Sequence, residues 1–340
     1  MRNFLLLPAA ALLLAASLTG CRKENGIDNN QVIQRPYSLY YSDMAGALHN
    51  ANNADSSRIV FVPDGVPDRA IVTSSNNIIW VKNNVFLSEN NGKAFNPTYL
   101  YTPLASTASW QSMILNVPDH GRIYIAANPA GSPSGIAYSD DNGKKWVPDT
   151  MFVPGITLPN PSQISSFAQT QNGVLYACDY VNAKYYIRLS KASRWAQFSP
   201  SSLPATGKFY LTHIQNSLVA VDSIGTQGAW HSEDTGRNWA QYAGLPTNTY
   251  LISANAPFDR TLLIGSTQGI FRLEDGKFVT SNTGLDEGTI VRGIVGKSNV
   301  YKNGIERRYI YIATSNGIYR SEDEGRNWVK VFRGNYNRIY

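Results

Sequence analysis

The feature that constrains this chain most is a short motif that recurs along it, Ser-x-Asp-x-Gly-x-x-Trp. The three complete copies consist of Ser139, Asp141, Gly143 and Trp146; Ser232, Asp234, Gly236 and Trp239; and Ser321, Asp323, Gly325 and Trp328. A fourth copy begins at Ser88 and has Asn90 and Phe95 in place of the Asp and the Trp. Two further copies, each two residues shorter, begin at Ser190 and Leu273. Successive copies start 41 to 51 residues apart. A period in this range indicates stacked repeats, and four short strands per repeat are typical of a propeller blade.

The residue types of the motif predict a tight turn between two strands. The clearer copies follow a short apolar run that ends near an aromatic residue, as in Gly317-Ile318-Tyr319, which is typical of a strand. The Asp is expected to accept hydrogen bonds from main-chain N–H groups of the turn, and the Gly allows a positive φ. The Trp is large enough to fill the wedge between neighbouring blades. All these roles are structural.

This motif resembles the Asp-box, or BNR, repeat, and the resemblance extends over roughly residues 67–333. Asp-box propellers include sialidases, xyloglucan-cleaving glycosidases, the sortilin receptors and the photosystem II assembly factors. The resemblance therefore implies a β-propeller but no particular activity.

The chain is predicted to be an all-β protein, a single Asp-box propeller domain of four-stranded blades over residues 37–340. Six contiguous units account for about residues 67–333. The remaining strand-like pieces, residues 38–41, 58–62 and 337–340, amount to one more blade. We predict a seventh blade built from the N- and C-terminal strands, which closes the ring. Six blades with an N-terminal flap are the alternative.

Residues 1–20 resemble a bacterial lipoprotein signal peptide. A basic start precedes an apolar run that is too short to span a bilayer, and Leu18-Thr19-Gly20-Cys21 resembles a lipobox. The resemblance implies that Cys21 is lipidated and anchors the protein to a membrane, with residues 21–36 as a flexible tether. An ordinary secretory signal is the alternative. The expected location is the bacterial cell envelope, as an outer-membrane lipoprotein on the periplasmic or the outer side.

The remaining Cys and His residues do not predict a metal or redox site. With Cys21 lipidated, only Cys178 is left, and it is expected to pack as a small buried side chain. The four histidines are far apart and lack the spacing of metal ligands. We predict no metal and no other cofactor.

Candidate functional residues are predicted on the face opposite the motif turns, which holds the active site in the glycosidases that the chain resembles. The catalytic candidates there are the carboxylates Asp179, Asp222 and Glu287. Glycoside hydrolysis requires two carboxyl groups about 5 to 9.5 Å apart. The candidates for ligand binding are Tyr180 on the same face and His213 and Arg292 on inner strands.

The chain lacks the sequence features expected of a sialidase. Its N-terminal Arg-Ile-Pro motif is absent, because Arg58-Ile59 is followed by Val60. Of the eight Glu residues, only Glu287 is left as a partner for a nucleophilic tyrosine.

The positive charge of the chain is concentrated near its C-terminus. The full sequence carries a formal net charge of +6, and residues 292–340 contain ten basic and four acidic residues. Arg307 and Arg308 in this region are candidates for binding an anionic partner. The sequence therefore favours a non-catalytic binding or assembly scaffold for a glycan or protein, with a glycoside hydrolase as the alternative. Nucleic acid is not an expected partner of an exported lipoprotein.

Overall fold

The computed structural model describes residues 33–35, 37–52, 56–60, 69–73, 77–81, 84–100, 114–117, 122–126, 135–157, 164–179, 182–205 and 207–340. The predicted signal peptide and Cys21 lie outside these residues. Within them, no helix has the length and apolar character needed to cross a membrane. The described residues divide into two compact units: residues 37–298 with Arg307–Tyr340, and Ile33–Arg35 with Asn299–Glu306.

The smaller unit contains strand β1 (Ile33–Arg35), which pairs antiparallel with residues 300 and 301. The turn that follows is closed by a hydrogen bond from the N–H of Gly304 to the carbonyl of Tyr301, 2.9 Å long. Residues 33–35 were predicted to be part of the flexible tether, and they form a strand instead. Three residues are too few to show the alternation by which a strand is recognised in a sequence.

The larger unit is a propeller of four-stranded antiparallel blades. In chain order its first strands are β2 (Ser38–Asp43), β3 (Leu48–Asn52) and β4 (Ser56–Val60). Blade 1 consists of β5 (Arg69–Val72), β6 (Ile78–Val81), β7 (Asn84–Ser88) and β8 (Asn96–Leu100). Blade 2 consists of β9 (Ile114–Val117), β10 (Arg122–Ala126), β11 (Ile136–Ser139) and β12 (Val147–Pro148). Blade 3 consists of β13 (Ile164–Gln169), β14 (Leu175–Asp179), β15 (Lys184–Arg188) and β16 (Ala196–Phe198).

The second half of the chain repeats this arrangement. Blade 4 consists of β17 (Phe209–Ile214), β18 (Ser217–Asp222), β19 (Ala229–Ser232) and β20 (Ala240–Gln241). Blade 5 consists of β21 (Leu251–Asn255), β22 (Leu263–Ser266), β23 (Gly269–Glu274) and β24 (Lys277–Thr280), with a 3₁₀ turn at Pro257–Asp259. Blade 6 consists of β25 (Val291–Tyr301), β26 (Glu306–Thr314), β27 (Gly317–Ser321) and β28 (Val329–Arg333). The last strand is β29 (Tyr336–Ile339).

Blade 7 is built from both ends of the propeller, in the order β29-β2-β3-β4. In it, Ile339 lies opposite Tyr41. The main chains of Tyr40 and Tyr340 exchange two hydrogen bonds of 3.3 and 2.8 Å. The predicted seventh blade is therefore confirmed, and the six-blade alternative is wrong. The two ends of the chain hold each other, so the ring closes by main-chain hydrogen bonds.

Seven clusters of buried apolar side chains lie between neighbouring blades, one at each contact around the ring. Between blades 5 and 6, for example, Leu263 belongs to the same cluster as Trp328. The cluster that closes the ring contains Tyr40 of blade 7 and Trp80 of blade 1. Each blade thus buries its faces against its two neighbours, as expected of a repeat that is not stable alone.

Four turns between the third and fourth strands of a blade share one hydrogen-bond pattern. In blade 6, Ser321 Oγ accepts a hydrogen bond from the N–H of Gly325 and donates one to Asp323 Oδ1, both 2.8 Å long. The same Oδ1 accepts the N–H of Asn327 at 2.9 Å. The turns that begin at Ser88, Ser139 and Ser232 repeat all three bonds. The predicted roles of the Asp and Gly positions are confirmed.

The Trp of each complete motif packs against the preceding blade. Trp146, Trp239 and Trp328 are only 3 to 6% exposed and belong to clusters between blades. The indole N–H of Trp239 donates to the carbonyl of Gly236 within its own turn, at 2.8 Å. The indole N–H of Trp328 donates to Ser281, in the linker that enters the blade, also at 2.8 Å. The prediction that the Trp fills the wedge between blades is confirmed.

Blade 3 lacks the complete motif and contains a buried ion pair at the corresponding turn. Arg188 Nη1 donates to Asp149 Oδ2 at 2.6 Å, and both side chains have no exposed surface. The same carboxylate oxygen accepts the indole N–H of Trp195 at 2.9 Å. The guanidinium also donates to the carbonyls of Ser190 and Lys191. A buried charge is tolerated when it is paired and hydrogen-bonded, as it is here.

Cys178 is fully buried in the cluster between blades 3 and 4. Its Sγ lies 3.3 Å from the carbonyl oxygen of Phe209. The prediction that this cysteine packs as a small core side chain is confirmed.

Replacing Trp328 with Ala is expected to destabilise the protein by about 3 to 5 kcal/mol, because it removes a buried indole from the contact between blades 5 and 6. The measurement is the free energy of unfolding in denaturant. The control is Val329→Ala, since the Val329 side chain is 63% exposed and its truncation is expected to cost little. Equal effects of the two substitutions would contradict the proposed packing role.

Candidate functional site

Asp222 lies at the end of β18 on the face opposite the motif turns, and its carboxylate holds the following turn together. Oδ1 accepts the N–H groups of Lys208 and Ile224 at 3.0 and 3.2 Å. Oδ2 accepts the hydroxyl of Thr226 at 3.1 Å and the N–H of Gln227 at 2.9 Å. An ionised carboxylate has about four acceptor positions, and all are used here. With no exposed surface, Asp222 is not accessible to a substrate.

Asp179 has the same kind of role at the end of β14. It is 1% exposed. Its two oxygens accept the main-chain N–H of Asn182 at 3.1 Å and the side-chain amide of Asn182 at 2.8 Å. The predicted binding residue Tyr180 lies outside the described residues, so the structure places only the Asp of this pair.

Asp286 and Glu287 lie in the linker between blades 5 and 6, and both are exposed. Lys330 forms an ion pair with Asp286, and its ammonium holds the pKa of that carboxyl below its usual range. Of the three predicted catalytic carboxylates, Glu287 is thus the one with an exposed side chain. The other two are buried in turns of blades 3 and 4.

Arg292 lies near the start of β25, and its side chain connects blade 6 to blade 7. Nη1 donates to Asn335 Oδ1 at 2.6 Å and to the carbonyl of Tyr336 at 2.9 Å. Burial lowers the pKa of Arg292. Two hydrogen bonds of the Arg292 guanidinium are therefore made to the protein itself. They lie at the start of β25, on the face opposite the motif turns.

His213 lies at the other end of an inner strand, β17, close to the 3₁₀ turn of blade 5. Its Nε2 is 3.8 Å from Asp259 Oδ1. Burial lowers the pKa of His213, against the attraction of Asp259. The adjacent residues Phe258 and Asp259 both have a positive φ, of 59° and 58°. Such values are uncommon for residues other than glycine and indicate a constrained turn.

The constrained turn also contacts blade 6. The guanidinium carbon of Arg308 lies 5.2 Å from the centre of the Phe258 ring, which is within the range of a cation–π contact. A Cβ added at Gly296 would lie 3.0 Å from the same ring, so a larger residue there would require the ring to shift by a few tenths of an ångström. The structure thereby groups two predicted binding residues, His213 and Arg308, around one turn. Arg307, next in sequence, is exposed.

A cavity of about 220 Å³ lies in the central channel, toward the ends of the inner strands where these residues are found. It is lined by four inner strands, β5, β21, β25 and β29, which belong to blades 1, 5, 6 and 7. The lining residues are Ala70, Ile71, Val72, Asn255, Ile294, Val295, Gly296, Lys297, Ile339 and Tyr340. Apart from Lys297, none of these residues carries a charged side chain.

Lys297 was not singled out by the sequence analysis. Protein surrounds its side chain, part of which meets the channel, and burial lowers its pKa to about 8. No hydrogen bond or ion pair of this side chain is found within the described residues. In the sequence, the apolar residues Ile294 and Val295 are followed by Gly296, Lys297, Ser298 and Asn299, whereas β25 continues to Tyr301. That longer strand is what places Lys297 in the channel.

Among the described residues, no group of three or more His, Cys, Asp and Glu side chains is arranged to hold a metal ion. The polar residues described above fall into two sets. The carboxylates lie in linkers and turns of one face, and the cationic residues Lys297 and Arg308 lie toward the opposite end of the inner strands.

Comparison with known proteins defines the fold. No family model and no curated protein sequence matches the chain. A structure of streptogramin B lyase has a TM-score of 0.56 at 14% identity, over 82% of this chain and 90% of the lyase. A structure of YCF48 bound to D1 peptide has a TM-score of 0.54 at 12% identity, over 83% and 88% of the two chains. An ancestral GH74 enzyme has a TM-score of 0.61 at 16% identity, over 90% of this chain and 45% of the enzyme. At these identities the likeness shows a β-propeller fold and nothing more specific.

Replacing Lys297 with Met is expected to stabilise the protein at about pH 7, by roughly 1 to 3 kcal/mol. Below pH 8 the folded protein must keep a charged ammonium in the channel, where burial disfavours it. From pH 8 to about 10.4 the folded state loses this proton while the unfolded state still holds it, so stability rises with pH and the cost disappears. The gain from Lys297→Met should therefore shrink at high pH.

The measurement is the melting temperature of both proteins at about pH 7 and about pH 10.5. Lys93→Met is the control, since it removes the same charge from an exposed turn residue and should have little effect at either pH. A lower melting temperature of Lys297→Met at neutral pH would show that Lys297 has a stabilising partner.

Proposed function

We propose that this protein is a non-catalytic binding or assembly scaffold that recognises a protein or glycan partner in a bacterial cell envelope. The observation that carries this proposal is the use of Asp179 and Asp222 as buried acceptors within their own turns. A hydrolase of the paired-carboxylate kind needs two carboxyl groups that reach the same glycosidic bond. Of the three candidates, only Glu287 has a side chain that meets solvent.

The charge distribution supports an anionic partner. Arg307 and Arg308 are exposed at the start of β26, and Arg308 lies against the Phe258 ring in the 3₁₀ turn of blade 5. Positive charge on one surface increases the rate and the selectivity with which an anionic partner is captured. Among the similar structures, YCF48 is seen with a bound peptide, so peptide recognition lies within the range of functions that this fold supports.

The resemblance of the motif to the Asp-box repeat is part of the same proposal. The Ser, Asp, Gly and Trp residues of the motif fix the turns and hold neighbouring blades together. This role is structural in every protein that contains the repeat. The repeat therefore leaves the ligand unspecified, and the ligand must be recognised by residues outside the repeat.

Reversing the charge at both Arg307 and Arg308 by substitution with Glu is expected to weaken partner capture by about tenfold or more at low salt. The loss should become smaller as salt is raised, because exposed charges are screened. Capture from an envelope extract is compared between this variant and the unchanged protein. Glu287→Gln serves as the control, since a scaffold does not depend on that carboxylate.

A screen for hydrolysis of polysaccharides distinguishes the scaffold from the glycoside hydrolase alternative. Release of reducing sugar by the unchanged protein, lost in Glu287→Gln, would overturn the proposal. Asp222→Asn is expected to lower the melting temperature, because the new amide has only one oxygen. Either the N–H groups of Lys208 and Ile224 or the N–H of Gln227 would then face an NH₂ group and lose their acceptor. A loss of stability of about 1 to 3 kcal/mol is typical for a buried polar group left without its partner.

Membrane attachment through Cys21 is tested by labelling cells with radioactive palmitate. The protein with an intact Cys21 should take up label and stay with the membranes, since several acyl chains on one residue anchor a protein firmly. Cys21→Ala should lose both properties, and Cys178→Ala is the control for labelling at the other cysteine. Label and membrane association that persist in Cys21→Ala would contradict the lipobox interpretation.

A further inference from the structure

The central channel combines one positive charge that has no opposite charge beside it among the described residues with a lining in which most residues are aliphatic. Lys297 is the charged residue of the cavity lining, and it forms no hydrogen bond or ion pair within the described residues. Six of the nine other lining residues are aliphatic: Ala70, Ile71, Val72, Ile294, Val295 and Ile339. Removing a charge from water is costly unless an opposite charge compensates it. A ligand with one negative charge would supply that compensation, in surroundings that strengthen the attraction.

Asn255 adds a directional acceptor to the cavity. Its side-chain Nδ2 donates to the carbonyl of Ile294 at 3.0 Å, which fixes the orientation of the amide. Its Oδ1 has no hydrogen-bond partner within the described part of the chain. This oxygen can accept an N–H from a ligand, and it would repel a second anionic oxygen. The cavity is thus suited to a group that carries both an N–H donor and a single negative charge.

The size of the cavity limits the ligand to a small group. Its volume of about 220 Å³ is below the range of about 300 to 1,000 Å³ typical of pockets that enclose a drug-sized molecule. An oligosaccharide would not fit inside. A phosphate group would match a single lysine poorly, because such groups are usually held by several donors or by the guanidinium fork of an arginine.

We infer that the channel cavity at Lys297 binds an aliphatic carboxylate that carries a neighbouring amide N–H, the chemistry of an acylated aliphatic amino acid. The carboxylate pairs with Lys297, the N–H donates to Asn255 Oδ1, and the aliphatic side chain contacts the walls formed by β5, β25 and β29. This inference deepens the proposed binding role and rests on it. The same chemistry is present in a free acyl amino acid and in the C-terminal residue of a peptide.

The test is a calorimetric titration of the purified protein with N-acetyl-L-leucine, with N-acetyl-L-leucinamide as the uncharged comparison. We expect binding of the acid and at least about tenfold weaker binding of the amide, since the amide lacks the negative charge. Lys297→Met should lose binding of the acid by a similar factor. Lys93→Met, which removes an exposed charge, should bind as the unchanged protein does. Lys297→Met is expected to fold, so its loss of binding would not reflect unfolding.

Two longer probes distinguish the sources of the carboxylate. A hexapeptide that ends in leucine with a free carboxylate is compared with the same peptide amidated at its C-terminus. Binding of the free peptide supports recognition of a protein C-terminus, and binding of N-acetyl-L-leucine without the peptide supports a small-molecule site. Equal binding of acids and amides, no binding of any acid, or binding unchanged in Lys297→Met would overturn the inference. Partner capture that depends on Arg307 and Arg308 would still support the scaffold in that case.

Discussion

The fold depends on filling the wedge-shaped space between neighbouring blades. A four-stranded sheet cannot bury both of its faces alone, so each blade is stable only against its neighbours. The Ser-Asp-Gly turn fixes the chain just before the Trp. Ser321 Oγ donates to Asp323 and accepts the N–H of Gly325, and Asp323 accepts the N–H of Asn327. Trp328 follows directly and packs in the cluster between blades 5 and 6. The linker between blades 5 and 6 also contacts the main chain of Trp328. Thr283 accepts the N–H of Trp328 at 2.9 Å, and a Cβ on Gly284 would lie 2.0 Å from the carbonyl oxygen of Trp328.

Blade 3 shows that the position matters more than the motif. Its turn is two residues shorter than the complete motif. Asp149 from the preceding linker fixes the position of the Trp instead, because it binds both Arg188 and the indole N–H of Trp195. The Trp is still fully buried. A buried ion pair is no more stable than apolar residues of the same size, but removing one partner typically costs about 3 to 5 kcal/mol. This blade therefore tolerates the loss of the motif only while both charged residues remain.

The repeat made most of the fold predictable from the sequence, because its period, turn residues and Trp are all local features. The closing blade was also predictable, since the strand-like pieces at residues 38–41 and 337–340 were left without partners in the six contiguous units.

The candidate site was less predictable than the fold. The Asp149–Arg188 pair joins residues 39 positions apart, and nothing local marks either partner. Lys297 was not predictable because β25 continues beyond the apolar residues Ile294 and Val295 into a polar stretch that does not read as a strand. The role of Asp222 depends on donors from two separate loops.

The polar groups on the face opposite the motif turns and those in the central channel differ in whether other parts of the protein already bind them. At the end opposite the motif turns, Asp179, Asp222 and Arg292 are engaged with main-chain groups or neighbouring side chains. Such contacts make the turns rigid, and they leave little polar capacity for a ligand. In the channel, Lys297 carries a charge that folding does not need and that burial disfavours. A residue that lowers the stability of a protein and has no structural role is typical of a functional site. Lys297 is therefore where we expect a ligand to bind, because an apolar side chain in its place is expected to make the protein more stable.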